Sequence, residues 1–528
     1  MRIAVAQVNP RVGDLSGNMD KMLDYTRRAA AADADLVVFG AGSLTGAHIA
    51  GLVDSHAFVE DAHEHLRTFA MTSPIPALVS CASVNELDAD TLAIVPELFL
   101  AGERSLESLG APELLESDVV PVIELADCNI AVLFDGHFEP DTELSNVDVL
   151  VEMNRDAFGD PMAAPAARGD LRPLSALASE CGAHVVSANQ CGAADSVVFA
   201  GNSTVTAPNG SLMHASPIDE EDLFVFDTAP GAVHEVQQRP AVELDIREIV
   251  WRALVIATHD YVHKNGFTDI VIGLSGGIDS SVVAAIAVDA LGAAHVHGVA
   301  MPGPYSSEAS LSDARSLAAN LGITCDVIPI TGPLEAFERV LAQACGGSVD
   351  GLAAENLQAR VRTVELMTIA NSHGWLMLNC GNKSEAAMGF STLYGDTAGA
   401  FAPIGDIYKT EVYELAQWRN THDAVIPQSA IDKEPSAELY EGARDIDRLP
   451  PYDKLDELLE AHIEDEMGAA ELIEAGFDPE LVETVLKTVQ ANEYKRRSEP
   501  IAPHVLGRSF TRDRAWPITN GWVDPALA

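Results

Sequence analysis

The sequence predicts an α/β protein built from a layered α/β domain followed by a doubly wound parallel sheet. Three observations predict it. Residues 1 to about 230 form a series of short β-type runs with few helices, whereas from 243 onward strands and helices alternate regularly. The length of 528 residues and a hydrophobic content of 47% supply enough apolar material for more than one packed core.

In the first region the runs are 2–8, 36–39, 76–82, 91–95, 129–134, 147–152, 184–188, 197–206 and 223–227, with helical stretches at about 16–33 and 170–182. Turn signals such as Pro208-Asn209-Gly210 punctuate them. A stretch with Pro, Gly and Gln and no periodicity sets a linker at 231–242, leaving domains at 1–230 and 243–528. The second begins with an amphipathic helix at about 243–264. Strands at 269–274, 296–301, 325–330 and 375–380 then alternate with helices at about 279–291, 308–321 and 354–373, and 453–497 reads as mostly helical.

Composition narrows the function. With 80 Asp+Glu against 32 Lys+Arg the formal charge is −48, which argues against a polyanionic partner such as nucleic acid or an anionic membrane surface. The chain has eight lysines, and none lies between Lys21 and Lys264. The seven cysteines are scattered without a CxxC pair and read as reduced thiols of a cytoplasmic protein. The N-terminus lacks the apolar stretch of a signal peptide, and no window is long enough to span a bilayer.

The strongest motif is Gly273-Leu274-Ser275-Gly276-Gly277-Ile278-Asp279-Ser280-Ser281, placed between an apolar strand and an apolar helix. Small residues there let the backbone approach an anion, the following helix N-terminus points N–H groups at it, and Asp279 offers a carboxylate to Mg²⁺. A Walker A loop is excluded because no lysine ends it. The pattern instead resembles the SGGxDS pyrophosphate loop of ATP pyrophosphatases, which cleave ATP to AMP and pyrophosphate.

Further stretches extend the resemblance. Residues 301–314 (MPGPYSSEASLSDA), 355–362 (ENLQARVR), 381–385 (GNKSE), 393–399 (LYGDTAG), 409–413 (KTEVY), 435–439 (PSAEL), 449–452 (LPPY) and 494–497 (YKRR) resemble NAD synthetases of the two-domain, glutamine-dependent type, from about 245 to 522. The resemblance implies ATP-dependent amidation of nicotinate adenine dinucleotide through an adenylated intermediate. It implies Mg²⁺ on Asp279 and Glu385, ATP contacts from the loop, Cys380, Lys409 and Ser436, and dinucleotide contacts from Arg360, Glu385, Leu393 and Lys495. Asp279 and Lys409 are the residues expected to take part in catalysis. Leu393 and Cys380 depart from the family pattern, the latter standing where a threonine is usual. Motif context also favours a functional Lys383, while Lys433, Lys454 and Lys487 read as lysines on solvated helix faces.

The N-terminal residues resemble the nitrilase-like glutaminase domain that feeds ammonia to this synthetase, through 3–18, 34–39, 43–46 and 185–210. The resemblance implies an α-β-β-α sandwich and assembly into homo-oligomers. Its amidase chemistry needs a Glu base, a Lys at the oxyanion and a Cys nucleophile. Here Gly40 and Ala41 replace Pro-Glu, Asp135 stands at the nucleophile position, and the lysine-free span supplies no third member. The expectation is a synthetase that amidates with free ammonia, its N-terminal domain catalytically inactive. The alternatives are a glutamine-dependent enzyme with a centre rebuilt from Asp135, His137 and Glu139, another ATP pyrophosphatase, or a non-catalytic nucleotide-binding paralogue.

Overall fold

A computed structural model describes residues 1–528 apart from 89–90, 103–104, 111–119, 135–145, 155–156, 160–171, 230–244, 511–512, 523 and 528. The chain divides into two compact units, Met1–Ile249 and Val250–Ala528. The proposed linker at 231–242 lies outside the described residues, and the opening helix of the second region is Ile246–Lys264, which straddles the division.

The first unit holds two six-stranded sheets. One runs in the order Asp222–Asp227, Arg2–Gln7, Leu36–Phe39, Ala77–Asp88, Thr91–Gly102 and Ser105–Gly110, and the other Leu212–Ala215, Thr204–Thr206, His184–Ala188, Val149–Met153, Cys128–Phe134 and Val122–Leu125. Strand alternation sends Ile3, Val5 and Val38 of the first sheet and Ile130, Val132, Val149 and Val151 of the second into one shared core. The opposite face of the first sheet packs on helices Leu15–Ala31 and His56–Thr72, and that of the second on Arg172–Cys181. This is an α-β-β-α sandwich. The run 197–206, read as one strand, is two: Gly201 (φ +54°) and Asn202 (φ +51°) break it into Val197–Ala200 and Thr204–Thr206, which join different sheets.

The second unit is built on a parallel sheet in the order Thr324–Val327, Val296–Ala300, Ile270–Gly273 and Leu376–Met377. Val271, Val299 and Met377 pack on Leu366 and Ala370 of the helix Gly351–His373. Helix Ile278–Leu291, buried from Val282 to Ala287, packs on the two central strands. Two strands are shorter than the sequence suggests. The chain leaves the sheet after Val327 and starts an unforeseen helix at Thr331–Leu341, and after Met377 only Leu378 still bridges, to Phe401. Because the chain crosses from Ile270–Gly273 outward to one side and returns to its other side at Leu376–Met377, the topology reverses at Gly273. A crevice opens at such a switch point, beyond the carboxyl ends of the strands.

Candidate active site

The crevice is a cavity of about 370 Å³ lined by Gly273–Ser275, Gly277–Ser280, Met377–Asn382, Glu385, Lys409 and Ser436 among others. The loop is shaped by its own residues. Gly276 adopts φ +79°, and a Cβ there would lie 2.1 Å from the Ser310 carbonyl oxygen, so only glycine fits. The Ser275 and Ser280 hydroxyls are 3.0 Å apart, and Gly277 N–H donates to Ser275 Oγ at 3.2 Å. Gly277 is the N-cap of the following helix and no side chain caps it, which leaves that end open to an anion. Two loop members do not line the cavity. Gly276 turns the backbone, and Ser281, 1% exposed, donates to the Gly277 carbonyl at 2.8 Å within the first helical turn.

Beside the loop, Lys409 Nζ donates to Asp279 Oδ2, while Asn382 Nδ2 donates to Asp279 Oδ1 at 3.0 Å. Asn382 is also the N-cap of helix Lys383–Met388, in a capping box with Glu385, so one residue fixes both carboxylates. Burial would lower the Lys409 ammonium, but the carboxylates of Asp279 and Glu385 outweigh it and hold the group above its ordinary range. Glu385 is pushed well above the usual carboxylate range by burial and by the Asp279 charge, against the pull of Lys409. Asp445 is raised by burial as well, and the Tyr452 ring lies 5.6 Å from Lys409 Nζ. Three carboxyls thus face one ammonium. The neighbouring Cys380 thiol is raised by burial and by the same carboxylates, so it stays neutral.

This donor set suits Mg²⁺. Asp279 and Glu385 present hard oxygen donors from adjacent strand ends, open to the cavity, and a cation between them would relieve the repulsion that raises Glu385. Among the described residues no group of three or more His, Cys, Asp or Glu side chains is placed to hold a metal ion by itself.

Arg360, Leu393 and Lys495 line a second cavity of about 340 Å³, which shares Phe390, Ser391, Asp396, Ala437, Leu439 and Asp445 with the first. Arg360 Nε donates to the Leu393 carbonyl at 3.1 Å, so the leucine takes part through its backbone. Lys495 Nζ donates to the carbonyls of Gly389 at 2.6 Å and Ser391 at 2.8 Å, and burial lowers its ammonium below the ordinary range. Asp396, pushed up to about 6 by burial, is pulled the other way by the Lys495 and Arg362 charges.

The structure places two lysines differently from the sequence reading. Lys383 does not line the cavity. It is fully buried, with Nζ 2.9 Å from Asp406 Oδ1, 2.6 Å from Glu464 Oε1 and 2.5 Å from the Arg508 carbonyl. Asp406 in turn accepts from the N–H groups of Val505 and Leu506 at 3.0 Å each, so the lysine clasps the C-terminal segment to the helix that carries Glu385. Lys433, by contrast, lines the main cavity next to Ser310 and Glu438. Arg362, also in that lining, was missed. The fragment ENLQARVR carries it two residues after Arg360, a spacing that turns it to a different side of the helix.

In the first unit, Ala41 is 1% exposed and its methyl belongs to the apolar core between the sheets. Its carbonyl accepts from Gln190 Nε2 at 3.2 Å. A Cβ on Gly40 would lie 2.6 Å from the Asn189 carbonyl carbon, so neither proline nor any other side chain fits there without movement. Asp135, with His137 and Glu139, lies outside the described residues. All seven cysteines are free.

Known proteins of this architecture are similar along nearly the whole chain. A model of the NAD synthase family matches residues 250–499, and one of the carbon-nitrogen hydrolase family residues 2–102. The glutamine-dependent NAD(+) synthetase of Acinetobacter baylyi is 34% identical, covering 99% of this chain and 98% of the relative, and that of Rhodobacter capsulatus is 36% identical over 99% of each. The solved structure of the Acinetobacter baumannii glutamine-dependent NAD+ synthetase with ADP superposes with a TM-score of 0.74 at 32% identity over 99% of both chains. A glutamine-dependent NAD(+) synthetase from Cytophaga hutchinsonii, at 18% identity and a TM-score of 0.80 over 99% and 98%, shares the fold. With more than 30% identity to the Acinetobacter baylyi and Rhodobacter capsulatus proteins across almost their full length, the chain belongs to the two-domain, glutamine-dependent NAD synthetase family.

Proposed function

We propose that this chain makes NAD by amidating nicotinate adenine dinucleotide at the expense of ATP, with free ammonia as its nitrogen source. ATP binds with its phosphates along 273–281 and against Lys409 and Ser436. The dinucleotide occupies the adjoining cavity of Arg360, Leu393 and Lys495. Its nicotinate carboxylate attacks the α-phosphorus, pyrophosphate departs, and ammonia then displaces AMP from the acyl carbon. Loop N–H groups and Lys409 counter the charge that grows on the phosphoryl oxygens. Asp279 and Glu385 would hold Mg²⁺, which supplies further neutralisation of the phosphates. Nothing in this scheme calls for nucleic acid. Among the described residues no helix is long and apolar enough to cross a membrane. Homo-oligomeric assembly through both domains is proposed with it.

Position 41 carries the choice of nitrogen source. An alanine methyl packed into an apolar core cannot accept a proton, and the span 22–263 has no lysine for an oxyanion. These features support an N-terminal unit that no longer hydrolyses glutamine. The relatives' names favour the other reading, a glutamine-dependent enzyme with a rebuilt centre. Parallel assays of NAD formation from ammonium and from glutamine, with ATP and Mg²⁺, decide between them. Ammonium alone should serve; equal rates with glutamine, in preparations free of other glutaminases, would sink the ammonia reading.

A further inference from the structure

We propose that Lys433 is the cation that meets the departing pyrophosphate, and that Glu438 parks it at the cleft wall until nucleotide arrives. The inference rests on the ATP-dependent adenylation proposed above. Among the described residues, the cations lining the main cavity are Arg362, Lys409 and Lys433. Lys409 is engaged by Asp279 and faces Glu385 and Asp445 besides. Arg362 donates Nε to the Met301 carbonyl at 3.1 Å, is buried, and already faces the charges of Asp396, Glu365 and Glu438. A triphosphate, even with one divalent cation, still carries net negative charge into a site whose other lysine is already matched. Lys433, with a single carboxylate partner at 3.3 Å and a side chain 26% exposed, is the candidate that can turn to it.

Its placement fits that role. Lys433 Nζ donates to Ser310 Oγ and lies 3.3 Å from Glu438 Oε1. Ser310 is the residue whose carbonyl lies against Gly276, so the ammonium sits beside the phosphate loop. Glu438 collects Ser307 N–H at 3.1 Å, Ser307 Oγ at 2.9 Å and Ser310 Oγ at 2.7 Å. It does so with φ +49°, an uncommon conformation for a glutamate, held by its own N–H donating to Ser436 Oγ at 3.1 Å. Burial would raise the Glu438 carboxyl, yet the hydrogen bonds from Ser310 and Ser307 hold it below the usual range, so it remains the anionic partner.

In the adenylation step the bond from the α-phosphorus to the bridging oxygen breaks, and its electron pair leaves with the pyrophosphate. The new bond joins phosphorus to the nicotinate carboxylate oxygen. Lys433 releases Glu438 and pairs with the oxygens of the leaving pyrophosphate, transferring no proton.

The test is exchange of labelled pyrophosphate into ATP in the presence of nicotinate adenine dinucleotide and Mg²⁺, without a nitrogen source. K433M and K433Q should lower exchange by about 10²-fold, with melting temperatures near wild type and an unchanged KM for ammonium in the complete reaction. K433R should recover part of the loss, and E438Q should lower the KM for ATP. Exchange within about twofold of wild type in either folded lysine variant would overturn the role of Lys433 alone. Absence of exchange in the wild-type protein would overturn the adenylation reading, and the proposal with it.

Discussion

Lys409 and Asp279, 130 residues apart in sequence, form an ion pair at the start of the phosphate-loop helix, and the lysine side chain is 3% exposed while the aspartate keeps 19%. Each holds the other in place. Replacing Lys409 with Met leaves Asp279, Glu385 and Asp445 facing one another without the ammonium. NAD formation at saturating ammonium should fall by about 10²- to 10³-fold, with the larger part of the loss in kcat.

Gly276→Ala tests the loop. The added methyl would stand 2.1 Å from the Ser310 carbonyl in a backbone conformation that disfavours it. The loop must move away from the position that presents its N–H groups to phosphate. The KM for ATP should rise by at least tenfold in steady-state assays, with secondary structure by circular dichroism unchanged.

Ala41→Glu should not create a glutaminase. The carboxylate would enter an apolar core at a position 1% exposed, a burial that costs roughly 2–5 kcal/mol. Calorimetry should show a lower melting temperature, and glutamine should still fail to support NAD formation.

Glu152 gives a pH dependence to the first unit. The carboxyl is 7% exposed, and burial pushes it up to about 7 from 4.5. A carboxyl whose folded value exceeds its unfolded one costs nothing below about 4.5. It withdraws stability as the pH climbs from there to about 7, reaching about 3 kcal/mol above that. Glu152→Gln should therefore raise the melting temperature at pH 8 and leave it almost unchanged at pH 4.5.

Lys383→Met removes the one cation between Asp406 and Glu464. Breaking a buried pair in this way costs about 3–5 kcal/mol. Urea unfolding followed by tryptophan fluorescence reports it directly, because all five tryptophans lie beyond residue 250.

The parallel sheet and its loop were legible in the sequence because strand, small residues and helix follow one another directly from Ile270 to Leu291, and each local signal agrees with the fold. Asp279, Glu385 and Lys409 were legible for the same reason, each lying in a short run with a strong pattern. The helix His56–Thr72 was missed, although Ser55 caps it and Val59, Ala62, Leu66, Phe69 and Ala70 mark its buried side. Its many charged and histidine residues hid that stripe. The roles of Lys383 and Lys433 were not legible at all. What separates them is the identity of partners 81 and 123 residues away, Glu464 and Ser310, and no local pattern carries that information.

The clasp around Lys383 also has a bearing on timing. Its ammonium is satisfied only when Asp406, Glu464 and the Arg508 carbonyl are all present. During synthesis the nucleotide loop leaves the ribosome well before residue 508, and the first unit can fold before either. Lys383 can pair with Asp406 and Glu464 as soon as both are made, but its third contact, the Arg508 carbonyl, and the Val505 and Leu506 N–H groups that hold Asp406 come later. A polypeptide interrupted before residue 508 would carry the phosphate loop, Glu385 and Lys409 with this clasp incomplete.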